Sequence, residues 1–481
     1  MKKAVYFIIA QAAALCALTF FGGCSEKEKV VEVTTLEELK SASGNVKLAN
    51  DIDCDFVTVS TIKGNIDGGG HTIKNAILNG NALFYSVKNL VIENVTYYNN
   101  ANNHASIVAA YREYESVYLE NITVKNCTME ITQGDSPLYA GIFAAGIDKG
   151  NNNKAEFKNC RAENVKVKIS GSPEKFSNIY YGGLIGYTIN DVYAQNCSVS
   201  GCEAEISGKT RTMYVGGLVG GCTYGGKISN SCVNDSFLYV DAPWYTKTFG
   251  SVTGTAEVQL GGIIGRFDSS GDRFIPYEAS GTISSSYVAN SDIYVSSSGS
   301  SLVGGIAGYF YGSAVEQSYT CNNEITAGYY DFGKIYYNVG GLIASAKNCS
   351  VTSCFACKNK VYTEIKSIVT TPDLVSSSVI TGFIPTANSV SLSYCGVGMN
   401  EIYAISTSSG QSTDERLDEF MLSGQILNCF VTSPVNAGNS RGIETVNETL
   451  WYTPQEIKNK LNLVSALWEF EADKLPYLNL K

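Results

Sequence analysis

Short apolar blocks bracketed by glycine recur along the chain. The clean copies are YYGGLIG from Tyr180, YVGGLVG from Tyr214, QLGGIIG from Gln259, LVGGIAG from Leu302 and NVGGLIA from Asn338, with looser copies YAGIFAAG from Tyr139 and ITGFIP from Ile380. Their doubled glycines begin at positions 182, 216, 261, 304 and 340, so successive blocks lie 34, 45, 43 and 36 residues apart. A recurrence of this length predicts stacked, repeating supersecondary units.

A second pattern, in phase with the first, alternates apolar and polar positions after an Asn or Ser. Examples are NITVKNCTMEI from Asn121, NCRAENVKVKI from Asn159, NCSVSGCEAEI from Asn196 and SYVANSDIYV from Ser286. Alternation with period two predicts strands. Because each strand is too short to bury a face alone, strands of successive repeats are expected to stack about 4.8 Å apart around one core. Amides, thiols and rings at equivalent positions should form ladders, and glycine pairs suit corners or close backbone approaches.

The pattern thus predicts an all-β parallel β-helix, with short helices capping both ends. Thr35 and Glu38 have the spacing of a capping box, so a short amphipathic helix should cover the first coil. Thr453, Pro454 and Glu456 repeat the device, and the aromatic segment after them is expected to plug the last coil. The predicted boundaries are 1–23 for a signal peptide, 24–34 for a tether, 35–440 for the β-helix and 441–481 for the carboxyl-terminal cap.

Two segments resemble known families. GGLVG followed by KISNSCV, within residues 216–233, resembles the GLUG motif repeat of bacterial surface proteins. LANDIDCD from Leu48 and GNIDGGGHTIKNAIL from Gly64 are similar to the first coils of right-handed parallel β-helices of the pectin-lyase-like type. The resemblance covers most of residues 36–440 and implies a right-handed helix. It implies little about activity, because proteins with GLUG motifs include adhesin-like proteins and a protease with a separate catalytic domain; this chain contains no HExxH.

The amino terminus resembles a bacterial lipoprotein signal. Two lysines precede an apolar stretch that ends in FGGC, which places the acylated cysteine at Cys24, although Phe21 departs from the usual leucine. Ordinary secretory cleavage and a single membrane anchor are the alternatives. The resemblance predicts a lipid-anchored outer-membrane protein exposed at the cell surface, with the EKEK run as part of its tether.

Composition and charge agree with an exported solenoid. Charged residues make up 17% of the chain, and it contains 47 glycines. Removal of Lys2 and Lys3 with the signal leaves 45 acidic against 33 basic residues, a net charge near −12. This charge argues against nucleic acid as a partner.

The cysteines are predicted to be buried thiols. Of fifteen, Cys16 leaves with the signal and Cys24 is lipidated, so an odd thirteen remain. Most sit in the alternating pattern, where a small apolar side chain is needed. Cys354 and Cys357 have metal-like spacing, but no second pair accompanies them, so a zinc site is not favoured.

Candidate catalytic groups are few. Asp51, Asp53 and Asp55 are expected on one strand face at about 6.7 Å intervals, a spacing compatible with paired-carboxylate chemistry but equally typical of a solvated strand. Only two histidines occur: His71 fits a turn, and His104 lies in a polar loop. The three aspartates are therefore weak catalytic candidates.

Binding is the favoured function, and the irregular repeats indicate where. The two longest intervals contain insertions, which in solenoids emerge as loops. These loops carry aromatic rings suited to stacking on a ligand and charged groups suited to holding it. The alternative is that the rings pack against the coil beneath them. The candidate binding residues are Trp244, Tyr245, Phe249, Arg266, Asp268, Asp272 and Arg273.

Two hypotheses follow. The first is a non-catalytic, adhesin-like surface lipoprotein that binds a glycan or a surface protein. The alternative is a polysaccharide-active β-helix enzyme, a lyase or a glycoside hydrolase. We expect no cofactor, with calcium left open because lyases on this scaffold use a cation to neutralise the uronate.

Overall fold

A computed structural model provides the structure. It describes residues 30–100, 103–111, 115–147, 153–171, 177–208, 210–243, 257–269, 281–330, 336–366, 377–406, 416–417, 424–432, 443–446, 448–463, 466, 468–471 and 474–480. The chain is an all-β parallel β-helix with short helices near both ends, as the sequence predicts. No helix among these residues is long and apolar enough to cross a membrane.

Each turn of the solenoid, called a coil here, is built from up to five short strands in succession. A complete coil runs through Val192–Gln195, Ser198–Ser200, Glu203–Ser207, Thr212–Gly216 and Val219–Cys222. Each strand pairs in parallel with its counterparts in the coils before and after it. The strands therefore form five columns along the solenoid axis, and no interior strand has an open edge.

The columns contain the following strands. Column 1 holds Val30–Val33, Asn45–Leu48, Ile62–Asp67, Phe84–Glu93, Val117–Lys125, Ala155–Lys158, Val192–Gln195, Gly226–Ser229, Gly281–Ser284, Ser313–Glu316, Ser350–Thr352, Val390–Ser393 and Gly424–Leu427. Column 2 holds Ile52–Asp53, Thr72–Lys74, Arg161–Glu163, Ser198–Ser200, Cys232–Asn234, Tyr287–Ala289, Tyr319–Cys321, Phe355–Cys357, Gly396–Gly398, Cys429–Val431 and Ile443–Thr445. The long strands Phe84–Glu93 and Val117–Lys125 belong to both columns, which share one 24-stranded sheet.

The other three columns form separate sheets. Column 3 holds Ile77–Asn79, Thr96–Asn100, Thr128–Thr132, Lys166–Ser170, Glu203–Ser207, Phe237–Ala242, Asp292–Ser297, Glu324–Tyr330, Lys360–Lys366 and Glu401–Ser406. Column 4 holds His104–Ser106, Leu138–Gly141, Asn178–Gly182, Thr212–Gly216, Glu257–Gly261, Ser301–Gly304, Tyr336–Gly340, Ser377–Thr381 and Arg416–Leu417. Column 5 holds Ala144–Ile147, Ile185–Thr188, Val219–Cys222, Ile264–Asp268, Ala307–Tyr311, Ile343–Lys347 and Thr386–Asn388.

The corners beside column 2 depend on asparagine. In many coils a residue with φ near +55° turns the chain, and asparagine tolerates this left-handed conformation better than other side-chain-bearing residues. The exposed amides then bond from coil to coil: Asn121 donates to Asn89 and Asn159 to Asn121, each at 2.7 Å. The predicted amide ladder is confirmed.

Inside the same corners runs a ladder of hydroxyls and thiols. The Ser286 hydroxyl donates to the carbonyl of Ser284 at 2.8 Å and accepts from the backbone N–H of Ser231 at 3.2 Å. Cysteine occupies the equivalent position at Cys197 and Cys354. The corner breaks the regular backbone pairing, so a small polar side chain from the next coil completes it.

The glycine pairs form the corner between columns 4 and 5. A Cβ on Gly217 would lie 2.1 Å from the carbonyl oxygen of Gly262 in the next coil, and one on Gly216 would lie 2.0 Å from that of Val219. Backbone therefore approaches backbone where any side chain would intrude. This explains the recurrence of GG.

The amino-terminal helix α1, Leu36–Ser41, forms as predicted. Thr35 accepts from the N–H of Glu38 at 3.3 Å, Glu38 accepts from Thr35 N–H at 3.2 Å, and Leu39 is fully buried in the solenoid core. Helix α2, Pro454–Lys460, follows a 3-10 turn over Glu448–Tyr452. Its N-cap Thr453 makes no capping hydrogen bond through its side chain, contrary to the repeated device that the sequence predicts; proline at the first helical position has no N–H to satisfy.

The described residues of the hairpin beyond α2 lie outside the solenoid and do not plug the last coil as the sequence predicts. A short antiparallel hairpin of Trp468–Glu469 and Tyr477–Leu478 lies along the outside of column 2. There Trp468 packs on Tyr319 and Phe355, which point away from the solenoid interior. Outward-facing rings on these coils need cover, so the tail forms a second, external core against the side of the solenoid.

Candidate functional site

The three candidate aspartates lie at the amino-terminal end of the solenoid and are engaged in turns. The strand contains only Ile52 and Asp53, so the predicted shared strand face is wrong: Asp51 precedes the strand, and Asp55 follows it in a turn with a φ of 49°. Asp51 accepts from the N–H of Thr72 at 2.9 Å, and Asp53 accepts from the N–H of Asp55 at 3.0 Å. These bonds lower the pKa of both carboxyl groups. A general acid needs a raised pKa, so this arrangement favours a structural role.

A larger constellation lies across the corner of columns 4 and 5. We call it the tyrosine stripe; it consists of His104, Tyr111, Tyr139, Tyr180, Tyr187, Tyr214, Arg266 and Tyr309. These side chains come from consecutive coils and are half-buried.

The rings of the stripe stack on one another. His104 lies 5.1 Å from Tyr139 and Tyr139 lies 5.1 Å from Tyr180, measured between ring centroids. Tyr180 stacks on Tyr187 at 4.7 Å, whereas Tyr214, 5.3 Å from Tyr180, has its ring plane tilted by 52° from that of Tyr180. Each stacked ring therefore covers one face of the next, and the half-buried side chains leave part of the row exposed.

Local sequence explains how two columns contribute to one stack. At this position column 5 alternates glycine with a larger side chain from coil to coil, in the order Gly146, Tyr187, Gly221 and Arg266. A Cβ on Gly221 would lie 3.1 Å from Tyr187 and 3.2 Å from Tyr214. A Cβ on Gly146 would lie 3.2 Å from the Tyr139 ring, so the missing side chain leaves room for that ring as well. Small residues thus alternate with rings, and the stack crosses the corner without gaps.

Arg266 places a charge between two rings of the stripe. Its guanidinium lies 5.3 Å from the centroid of Tyr214 and 4.8 Å from that of Tyr309, within cation–π range of both. Its Nη2 donates to Asp268 Oδ2 at 2.7 Å, and its Nη1 donates to the Tyr214 hydroxyl at 3.4 Å. The structure thus brings together Arg266 and Asp268, two of the predicted binding residues.

Burial sets the protonation of the stripe. It raises the pKa of Tyr180 to about 12 and also raises that of Tyr187, Tyr214 and Tyr309. Burial acts to lower the pKa of Arg266, but Tyr214 and Asp268 outweigh it and raise that pKa. At neutral pH the stripe therefore presents neutral hydroxyls beside one permanent cation.

A polar pocket adjoins the amino-terminal end of the stripe. It has a volume of about 490 Å³. Its wall includes Tyr85, Asn81 and Asn103 together with His104 and Tyr111 of the stripe. Tyr85 is 36% exposed, so a ring face and amides converge on one open cavity. Stripe and pocket make one continuous surface.

The remaining predicted site residues lie outside the described part of the chain. These are Trp244, Tyr245, Phe249, Asp272, Arg273 and the lipidation residue Cys24. The insertions that hold the first five leave the strand Phe237–Ala242 and the strand Ile264–Asp268, so they connect to the coil that carries Arg266.

All thirteen cysteines of residues 30–480 are free thiols, and all except the half-buried Cys321 are buried. The predicted burial of these thiols is confirmed. Within the stretches that the structure describes, no group of three or more His, Cys, Asp or Glu side chains could hold a metal ion.

Comparison with known protein families finds no match for this chain, and no curated protein matches it either.

The sequence predicts ladders of rings in general, but sequence reasoning did not place one at the glycine blocks or identify it as a candidate site. Tyr139, Tyr180 and Tyr214 each open a copy of the glycine block at the same offset. Equivalent offsets in a solenoid place side chains in one row, and this is the signal that locates the ladder. Tyr187 and Arg266, from column 5, join the row only through the fold.

Proposed function

We propose that this chain is a lipid-anchored cell-surface protein that binds an extended glycan along the tyrosine stripe, without catalysis. The observation that carries the proposal is the row of tyrosine rings in contact from Tyr139 to Tyr214, which leads to Arg266 and Asp268. The sequence at residues 1–24, which resembles a lipoprotein signal, supports the location.

The stripe offers a repeating set of hydroxyl groups. Tyr180 accepts from Asn178 at 2.8 Å, and a phenol oxygen that accepts one bond still carries a proton to donate. Successive coils lie about 4.8 Å apart, so the hydroxyls recur at that interval along the axis. A linear polysaccharide, with hydroxyls repeating along its length, is a matching ligand, and the Arg266–Asp268 pair adds charged contacts at one end.

The test is binding of the purified protein to a panel of host and plant polysaccharides, with calcium, followed by titration calorimetry of any hit. Tyr180→Phe with Tyr214→Phe keeps the ring stack and removes two hydroxyls. Each lost bond should weaken binding by a factor between about 2 and about 13, which corresponds to about 0.5–1.5 kcal/mol per hydrogen bond. Tyr98→Phe, an exposed tyrosine on column 3, is the matched control.

Two results would contradict the proposal. Equal affinity of the double variant and the wild type would remove the stripe from the binding site. New oligosaccharides or unsaturated uronate ends, detected by mass spectrometry, would replace the non-catalytic function with the polysaccharide-active alternative.

A further inference from the structure

A second surface, on column 1, presents two tyrosines separated by one coil. Tyr118, Glu156 and Tyr193 occupy the same outward position in three consecutive coils. Tyr118 is 54% exposed and Tyr193 is 36% exposed. A pocket of about 210 Å³ includes all three in its wall. We call it the column 1 slot.

The column 1 slot differs from two other rows of aromatic side chains on the solenoid, in which rings on adjacent coils stack on each other. Aromatic residues on adjacent coils stack directly: Tyr287 on Tyr319 at 5.0 Å, and Tyr362 on Tyr403 at 4.7 Å. In the slot the middle coil carries Glu156 instead of a ring. The two tyrosines are therefore two coils apart, about 9.6 Å at the usual strand spacing.

This separation equals two stacking distances. Rings stack with centroids about 4.5–7 Å apart, so one ring-shaped ligand between Tyr118 and Tyr193 would lie at stacking distance from both. The Tyr193 ring is held in place, because its hydroxyl donates to Asp191 at 3.0 Å. The Tyr193 ring is thus fixed before a ligand enters, and the Lys154 ammonium over that ring moves aside when a ligand stacks there.

The surrounding charges balance. Lys158 pairs with Glu120 at 2.9 Å, and Lys154 Nζ lies 5.4 Å from the centroid of the Tyr193 ring. Lys227 and Glu156 also line the pocket. A ligand of strong net charge gains little here, whereas a ligand with apolar faces and a hydroxyl-bearing edge matches both the rings and the carboxylate.

We propose that the column 1 slot binds a single neutral pyranose ring, stacked between Tyr118 and Tyr193, with its hydroxyls donating to Glu156. The slot lies on column 1, whereas the stripe crosses columns 4 and 5, so this is a second carbohydrate site and does not depend on the first.

The experiment is saturation-transfer NMR of the purified full-length protein with methyl β-glucopyranoside, methyl β-galactopyranoside and methyl α-mannopyranoside, and with glucuronate as the acidic counterpart. Transfer to the ring protons of at least one neutral glycoside is expected. Tyr118→Ala and Tyr193→Ala should each raise the dissociation constant about two- to tenfold, as expected for one lost ring stack. Tyr98→Ala is the matched control, since it removes an exposed ring on column 3.

Glu156→Tyr gives the sharpest test. A ring at this position would stack on both neighbours and complete the ladder, so the protein should remain folded while the transfer disappears. Continued binding by Glu156→Tyr, a stronger signal for glucuronate than for every neutral glycoside, or absence of transfer in the wild type would each overturn the proposal. Tyr180→Phe with Tyr214→Phe should leave slot binding intact, which separates failure of the slot from failure of the stripe.

Discussion

Tyr319 and Phe355 stack face to face on the outside of the β-helix, with ring centroids 4.8 Å apart and planes 6° apart. Both are nearly or fully buried, at 5% and 0% exposure, although they point away from the solenoid core. Trp468 covers them, with its ring 5.6 Å from Tyr319 and 5.8 Å from Phe355. The tail therefore provides the second half of an external apolar core.

Trp468→Ala should lower the free energy of unfolding by about 3–5 kcal/mol, the usual cost of removing a large buried ring. It should also increase binding of a hydrophobic dye, because Tyr319 and Phe355 lose their cover. Urea unfolding measures the first effect. Leu427→Ala is the control: Leu427 is 58% exposed, so its loss should change stability little. Equal effects of the two substitutions would show that the tail does not stabilise the solenoid.

Gly217→Ala tests the glycine corner. The added Cβ would lie 2.1 Å from the Gly262 carbonyl, and backbone cannot move aside cheaply. We expect a loss of about 3 kcal/mol or more, the upper end of overpacking costs. In Gly328→Ala the nearest atom is the hydroxyl of Tyr294 at 2.5 Å, the end of a flexible side chain, so the loss should be much smaller. Thermal unfolding distinguishes the two, and similar melting temperatures would contradict this account of the corner.

The interior hydroxyl ladder predicts a contrast at Ser286. Ser286→Ala leaves the N–H of Ser231 without its acceptor and should cost about 1–3 kcal/mol. Ser286→Cys should cost less, since cysteine fills the same position at Cys197 and Cys354. Denaturant unfolding of both variants checks the order, and a reversed order would mean that volume rather than hydrogen bonding decides this position.

The stripe predicts loss of stability in alkali. Burial raises the pKa of Tyr180 from about 10 to about 12, so its contribution is complete below pH 10. Above pH 10 the unfolded chain releases the proton first, and the contribution is lost as pH rises through 12. Tyr180→Phe should therefore make the fall in stability between pH 10 and 12 less steep. The difference between variant and wild type should be constant from pH 7 to 9; a difference that changes there would point to another group.

The thiols should differ in reactivity. Cys321 is half-buried, and a hydrogen bond with the Cys357 thiol lowers the pKa of Cys321. Burial raises the pKa of Cys354 and Cys349 to about 12. With the protein lacking residues 1–24, Ellman's reagent should label one thiol quickly and the other twelve only after denaturation. Cys321→Ser should remove the fast phase, and its persistence would contradict the assignment.

Much of this fold follows from local pattern. Asn121 and Asn159 turn equivalent corners, and Gly216 with Gly217 marks another, because each coil repeats the same steric requirements. The repeat therefore predicts columns, ladders and buried thiols. It predicts less about the site: Tyr187 reaches Tyr180 only because two columns meet at a corner.

Long-range packing explains why the carboxyl-terminal tail does not lie where the sequence predicts. Trp468 was expected near the last coil, but it lies beside residues about 150 positions earlier, where its indole donates to Gln317 at 3.3 Å. No period in the sequence relates the two. The outward rings of Tyr287, Tyr319 and Phe355 were a signal, since a solvated strand rarely carries aromatics on successive coils.

The external tail changes how the solenoid should respond to force. In a stack of similar coils each coil holds only its neighbours, so unravelling begins at an end. Here Tyr477 and Leu478 reach the coil that carries Asn196 and Ser198, while Trp451 packs on Phe430 near the last coil. The final coils therefore cannot unfold one at a time unless the tail first detaches from column 2. A force that pulls on the carboxyl-terminal end would therefore meet one cooperative block in that half of the solenoid instead of a series of weak steps.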